Sequence, residues 1–251
     1  MYIACSTLCF GKHPLDRALR AISDLHFQKV DLAIHENGPH LKPTEVAADG
    51  NRCAQMLRAT GMSFAALHVE IATTDHERHK ELLRAVCRLG KLLTVPVVNI
   101  PAALIGSDFE EEVTRLTQLS RLAAAEGVIL TVETHRDRIT GDPAGAVELC
   151  RRVPDLGLTL DPSHYIACQH PRADYDEVFP YVRHVRLRDT SPDKLQVRIG
   201  QGRIEYGKIV ALLEREDYQR AITVDIRDNP ETDYPLDPEV RKLKFLMESM
   251  V

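Results

Sequence analysis

Three short segments of this chain repeat one pattern of threonine, apolar residue and acid: Thr131-Val132-Glu133, Thr159-Leu160-Asp161 and Thr223-Val224-Asp225. Each closes a short apolar run. Side chains alternate across a strand, so the Thr and the acid of each triplet share a face while the residue between them packs on the other. In residues 128–135 the division is clean. Val128, Leu130 and Val132 fall on one side, and Ile129, Thr131 and Glu133 on the other. Three strands that deliver a Thr and then an acid at one depth, facing one way, predict a site at the mouth of a parallel barrel.

The rest of the chain supplies the barrel. Strands are expected at residues 3–10, 29–35, 63–70, 95–100, 128–135, 157–161, 182–189 and 221–226, and helical patterns alternate with them. Strict β/α alternation implies a parallel sheet with helices outside. Eight repeats in 251 residues predict a single-domain α/β fold, a closed (β/α)8 TIM barrel spanning residues 1–251. An open doubly wound sheet would have to explain why strands five, six and eight carry acids at the same tip. Thr74 with Glu77, and Ser107 with Glu110, have capping-box spacing. Asp142-Pro143 predicts an N-cap followed by Pro at the first helical position. Asn37-Gly38-Pro39 opens a loop placed to lie over the mouth, and Gly61 suits a helix C-cap.

Composition narrows the class. Apolar residues make up 44% and charged residues 27%, and 32 basic residues face 37 acidic ones. The absence of a basic run argues against a nucleic-acid surface. No stretch has the apolar length of a membrane span. Six scattered cysteines without a C-x-x-C pair suggest reduced thiols. The first residues lack a signal-peptide pattern, so a cytoplasmic protein is expected.

Within the barrel, Glu133, Asp161 and Asp225 are expected inside at the C-terminal rim, with His68, Asn99 and His135 nearby. Convergent carboxylates repel unless a cation lies among them, either a divalent metal or a side chain. On strand seven Val185 and Leu187 face out, so His184, Arg186 and Arg188 face in, with His184 at the Thr layer and Arg186 at the acid layer. His76-Glu77-Arg78-His79 is one residue short of a zinc-protease motif and suits a solvated first helical turn.

The chain resembles the xylose-isomerase-like superfamily of sugar isomerases, sugar epimerases and endonuclease IV. The resemblance rests on V-E-T-H at 132–135, L-D-P-S-H at 160–164, H-V-R-L-R-D at 184–189, G-Q-G at 200–202 and D-Y-Q-R-A-I-T-V-D at 217–225. It implies one divalent ion (Mn, Mg, Co or Zn) held by Glu133, Asp161 and Asp225. The strand-seven His of that ligand set is Arg186 here, and the last Glu is Asp225. His184 lies two residues, about 6.6 Å, too deep to replace it.

The chemistry implied is proton transfer next to a carbonyl on a small sugar or sugar phosphate. Glu133 and Asp225 would be the acid/base pair. His164, with Arg188 or Arg198, would bind hydroxyls or a phosphate, and the G-Q-G turn offers backbone N–H groups for the same purpose. His68, Glu70, His135 and Arg186 complete the expected substrate-binding set. No nucleic-acid or membrane partner is expected, and a homo-oligomer is compatible with the resemblance. Two rival readings are a barrel that binds a sugar-like ligand without turnover and a repair nuclease of the endonuclease IV kind. The nuclease would need more histidine ligands than the rim offers.

Overall fold

The computed structural model describes residues 1–168, 174–229 and 232–251. Eight parallel strands close into a barrel in sequential order. They are β1 (Tyr2–Ser6), β2 (Lys29–His35), β3 (Ser63–Glu70), β4 (Val97–Ile100), β5 (Ile129–Glu133), β6 (Gly157–Leu160), β7 (Val182–Leu187) and β8 (Ala221–Val224). β8 returns to pair with β1, pairing Ala4 with Thr223. The expected single-domain (β/α)8 TIM barrel is therefore the fold.

The helices outside are α1 (Leu15–Asp24), α2 (Pro43–Ala48), α3 (Gly50–Arg58), α4 (His76–Leu93), α5 (Phe109–Ala125), α6 (Pro143–Arg152), α7 (Ser163–Ile166), α8 (Tyr206–Arg215) and α9 (Leu236–Glu248). Their apolar stripes bury Leu83, Val86, Leu116 and Leu213 against outward strand residues such as Val98, Leu130, Val185 and Val224. That packed layer fixes the strands and leaves their C-terminal tips free to carry polar groups.

Local chemistry moves several expected boundaries. β1 stops at Ser6 because the Ser6 side chain accepts from the Leu8 N–H and turns the chain into a 3-10 segment, Thr7–Phe10. The two expected capping boxes are displaced by one residue. Asp75, not Thr74, caps α4 by accepting from the Glu77 and Arg78 N–H groups. Asp108, not Ser107, caps α5. A carboxylate accepts these bonds better than a neutral hydroxyl. Asp142 caps α6 as expected. The loop after β2 is shorter than its turn residues suggest, because Pro43 starts α2. The Pro-containing stretch after β8 includes residues 230–231, which lie outside the described residues.

Closure staggers the strands, and the stagger rearranges the mouth. In the ladder Glu133 pairs with Thr159, and Thr159 with His184. Asp161 comes one inward position later. On the other side Arg186 pairs with Thr223. The acids follow the ladder as a staircase, not as the level ring that sequence alternation suggests. The threonines form a hydrogen-bonded floor beneath them. Thr131 Oγ1 lies 2.8 Å from Thr159 Oγ1, and Thr223 Oγ1 lies 3.3 Å from His184 Nε2.

Candidate active site

β7 supplies the cations that the acids need. Arg186 is 0% exposed. Its Nε donates to Asp31 Oδ2 at 2.8 Å and its Nη1 to Glu133 Oε1 at 3.0 Å. Two residues on, Arg188 Nη2 donates to Asp161 Oδ2 at 2.5 Å and to Asp225 Oδ2 at 3.1 Å. Arg227 clamps Asp225 from the rim, with Nη2 at 2.7 Å from Oδ2. Strand seven thus works as a comb in which Arg186 serves β2 and β5 while Arg188 serves β6 and β8. Arg186 meets a carboxylate of the expected set, Glu133, as its place on the strand suggests, and the stagger gives Asp161 and Asp225 to Arg188.

Asp31 belongs to the same network and is absent from the sequence-based set. It is fully buried and also pairs with His184 Nε2 at 2.8 Å. Its signal was present, since Asp31 and His35 share the face of β2 opposite Val30, Leu32 and Ile34. A lone acid inside an apolar strand costs several kcal/mol unless it is paired, so its position asked for an inward partner.

The electrostatics separate the acids. Burial pushes the Asp225 carboxyl up, but the Arg227 and Arg188 guanidiniums outweigh burial and hold it far below the carboxylate range. Burial likewise opposes ionisation of Asp31, and Arg186 with His184 overcomes it. Asp161 is held down by Arg188 and His164 against burial, and its Oδ1 accepts from the Ser163 N–H and hydroxyl. Glu133 is buried too, and Arg186 and Arg227 keep it ionised.

A cavity of about 130 Å³ opens above this layer, lined by His68, Glu133, His135, His164, Arg188 and Arg227 among others. Of the four buried inward acids only Glu133 reaches it. Asp31, Asp161 and Asp225 lie behind the arginines. Arg188 keeps a buried Nε with no hydrogen-bond partner among the described residues. His164 sits in the single turn that Asp161 and Ser163 set up, with its ring 4.0 Å from that of His135. Burial pulls the His164 imidazole down to about 4, so it is neutral near pH 7. A larger cavity of about 950 Å³ lies between α4 and α5, off the barrel axis, and shares only Pro101 and Arg138 with the mouth. The convergent acids and arginines mark the smaller cavity as the site.

The other expected residues divide. His68, Glu70, His135, His164 and Arg188 line the cavity. Arg186 lies beneath it. Arg198 does not join the site: it is exposed and stacks on the Tyr234 ring at 5.0 Å. The G-Q-G turn is closed on its own chain, because the Gly200 and Gly202 N–H groups both donate to Asp189 Oδ2 at 2.7 and 3.0 Å. Those two N–H groups are therefore already engaged. Arg138 and Arg227 stand on the cavity wall, where Arg198 was expected. The resemblance gave no reason to look for them, although Arg227 continues the i, i+2 alternation from Asp225. His79 is half-buried, not solvated, and burial beside Arg115 pulls it down to about 4.

The metal ligand set implied by the resemblance does not fit this mouth. Glu133, Asp161 and Asp225 each carry a guanidinium where the ion would lie, and Arg186 takes the place of the histidine. Among the described residues, one group of three side chains brings ligand atoms within 4.8 Å of one another: His35, His68 and Glu70. It lies at the tips of β2 and β3.

A family model described as xylose isomerase-like TIM barrel matches residues 19–245. Three solved structures illustrate the likeness in fold. An L-ribulose 3-epimerase is 17% identical, with TM-score 0.76, over 100% of this chain and 96% of the other. A xylose isomerase-like TIM barrel protein from Mycobacterium smegmatis in complex with magnesium is 18% identical, with TM-score 0.74, over 100% and 98%. The probable 3-DHS dehydratase AsbF from Bacillus anthracis is 16% identical, with TM-score 0.73, over 97% and 98%. A comparison with curated proteins gives no match.

Proposed function

We propose that this chain, which belongs to the xylose isomerase-like TIM barrel family, is an isomerase or epimerase of a small sugar or sugar phosphate that moves a proton next to a carbonyl. The observation that carries this reading is the pairing of one ionised, cavity-facing carboxylate, Glu133, with two guanidiniums, Arg188 and Arg227, on the wall of the same cavity. The names of the solved relatives point the same way.

In this reading Glu133 takes a proton from the carbon beside the carbonyl. The C–H electron pair forms a C=C bond, and the carbonyl π pair moves to oxygen, giving an enediolate. The Arg188 and Arg227 guanidiniums on the wall stabilise the oxyanion, a role that fixed charges fill at low reorganisation cost. His135 and His164, neutral near pH 7, bind hydroxyls. Glu133 then returns the proton. Delivery to the former carbonyl carbon on the same face, with the neighbouring hydroxyl passing its proton to the oxyanion as its own O–H pair closes the new C=O, completes an aldose–ketose isomerisation with one carbon base. Epimerisation would need a donor on the opposite face. Asp225, the expected second member of the pair, is locked by two arginines and does not line the cavity. Of the expected pair, Glu133 is the member that lines the cavity, and this favours isomerisation.

Arg138, Arg188 and Arg227 on the wall suit a phosphate or other acidic group on the substrate. The test is incubation with aldoses, ketoses and their phosphates in D2O, followed by proton NMR. Deuterium gain beside the carbonyl, together with an isomeric product, supports the reading. No exchange in any substrate would contradict it. Tight binding without exchange would favour the rival ligand-binding barrel, which draws on the pairing of all four inward acids with arginine.

A further inference from the structure

The tips of β2 and β3 carry a cluster that the proton-transfer chemistry does not use. His35 and Glu70 are direct partners in the ladder between β2 and β3, and Ala33 partners His68. His68 and Glu70 are two residues apart on one strand and so share a face, which puts all three side chains on one patch of the wall. His35 Nδ1 lies 3.7 Å from Glu70 Oε2, beyond a hydrogen bond. The two imidazoles meet edge to face at 4.4 Å.

Each ring has a nitrogen that is buried and without a hydrogen-bond partner among the described residues, Nε2 of His35 and Nδ1 of His68. A buried polar nitrogen left unpaired costs about 1–3 kcal/mol, so two on neighbouring rings need a reason. The nearby arginines do not make the patch cationic, since Arg186 is paired with Asp31 and Glu133, and Arg227 with Asp225.

We infer that His35, His68 and Glu70, at the tips of β2 and β3, form a binding site for one borderline divalent ion of the zinc class. Two imidazole nitrogens and one carboxylate oxygen are a donor set that zinc accepts, with a fourth position open. Glu70 and His68 line the mouth cavity, while Glu70 and His35 also line a neighbouring cavity of about 330 Å³. The open position can therefore be filled by water or by a substrate oxygen.

This inference stands apart from the isomerase reading, and its test uses no turnover. The full chain, stripped with chelator, is titrated with zinc against a chromophoric chelator, and X-ray absorption at the zinc edge is read on the loaded protein. One equivalent should bind, with two imidazole nitrogens at about 2.0–2.1 Å in the shell. Glu70→Gln should weaken binding by at least about tenfold, and Glu133→Gln by far less. The Glu70 side chain is 56% exposed, so its variant does not threaten the fold; a matching thermal melt verifies this. His35→Gln, with the same melt, should remove one imidazole from the shell. An all-oxygen shell, stronger loss in Glu133→Gln than in Glu70→Gln, or no stoichiometric binding would overturn the inference.

Discussion

Arg186 Nη1 lies 3.0 Å from Glu133 Oε1, and the same guanidinium holds Asp31 through Nε at 2.8 Å. One side chain thus ties β2 to β5 across the barrel interior and keeps ionised the only inward acid of that set that faces the cavity. Where the resemblance calls for a metal-binding histidine, this chain has a permanent organic cation.

Removing that cation should damage the fold as well as the site. Arg186→Met leaves Asp31 and Glu133 as buried charges without their partner, and breaking a buried pair from one side costs about 3–5 kcal/mol. Urea denaturation of the variant should show a loss of that order. Asp31→Asn in the same background should restore part of it, because one stranded charge is gone. A loss below about 1 kcal/mol would mean that Arg186 is not the partner the network depends on.

Acid should weaken the protein in two overlapping steps of the same sign. The folded His164 titrates near 4 against an ordinary 6.5. Between these values the unfolded chain binds the proton and the folded chain does not, so its contribution is intact above about 6.5 and is lost as pH falls toward 4. Asp31, Glu133, Asp161 and Asp225 all have depressed folded values. Their contribution is present above the ordinary carboxylate range and is lost as pH falls below it. The urea midpoint should therefore fall from pH 7 to pH 4 and faster below. His164→Asn should reduce the slope of the upper part of the curve without abolishing it, because burial also lowers His35, His68, His79 and His135. A midpoint that is level from pH 7 to 4 in the unaltered chain would contradict the assignment.

The G-Q-G turn should prove structural. A Cβ on Gly202 would come 2.0 Å from Asp189 Oδ1, and Gly200 has φ +88°. Gly202→Ala should open the loop and raise its cleavage by a protease, and Asp189→Ala should do the same by stranding the N–H groups of Thr190, Gly200 and Gly202, at about 1–3 kcal/mol for each that stays buried. Neither should act through loss of a phosphate contact. If Asp189→Ala kept the loop protected, and weakened only phosphorylated ligands, the turn would be a phosphate site after all.

The legible and illegible parts of this protein differ in physical kind. Hydrophobic alternation is local, so the eight strands, the inward Glu133 and the inward faces of His184, Arg186 and Arg188 could be read from neighbours one or two positions away. Which arginine meets which acid depends on strand stagger, a property of barrel closure that no single strand carries. That is why Arg188, not Arg186, holds Asp161 and Asp225. Asp31 was readable by the same alternation, but no repeated motif drew attention to it. Arg198 was misplaced because its loop folds back on Asp189 and turns it to solvent.

The central claim is that Glu133 is the base of a carboxylate–arginine mouth. Its most direct test is the rate of deuterium exchange beside the carbonyl of the best ketose substrate in D2O, comparing the unaltered chain with Glu133→Gln. The amide keeps the size of the side chain and removes the charge that accepts the proton. We expect exchange to fall by about 10²–10⁴-fold with the fold intact by thermal melt. Exchange at the unaltered rate in Glu133→Gln would contradict the claim.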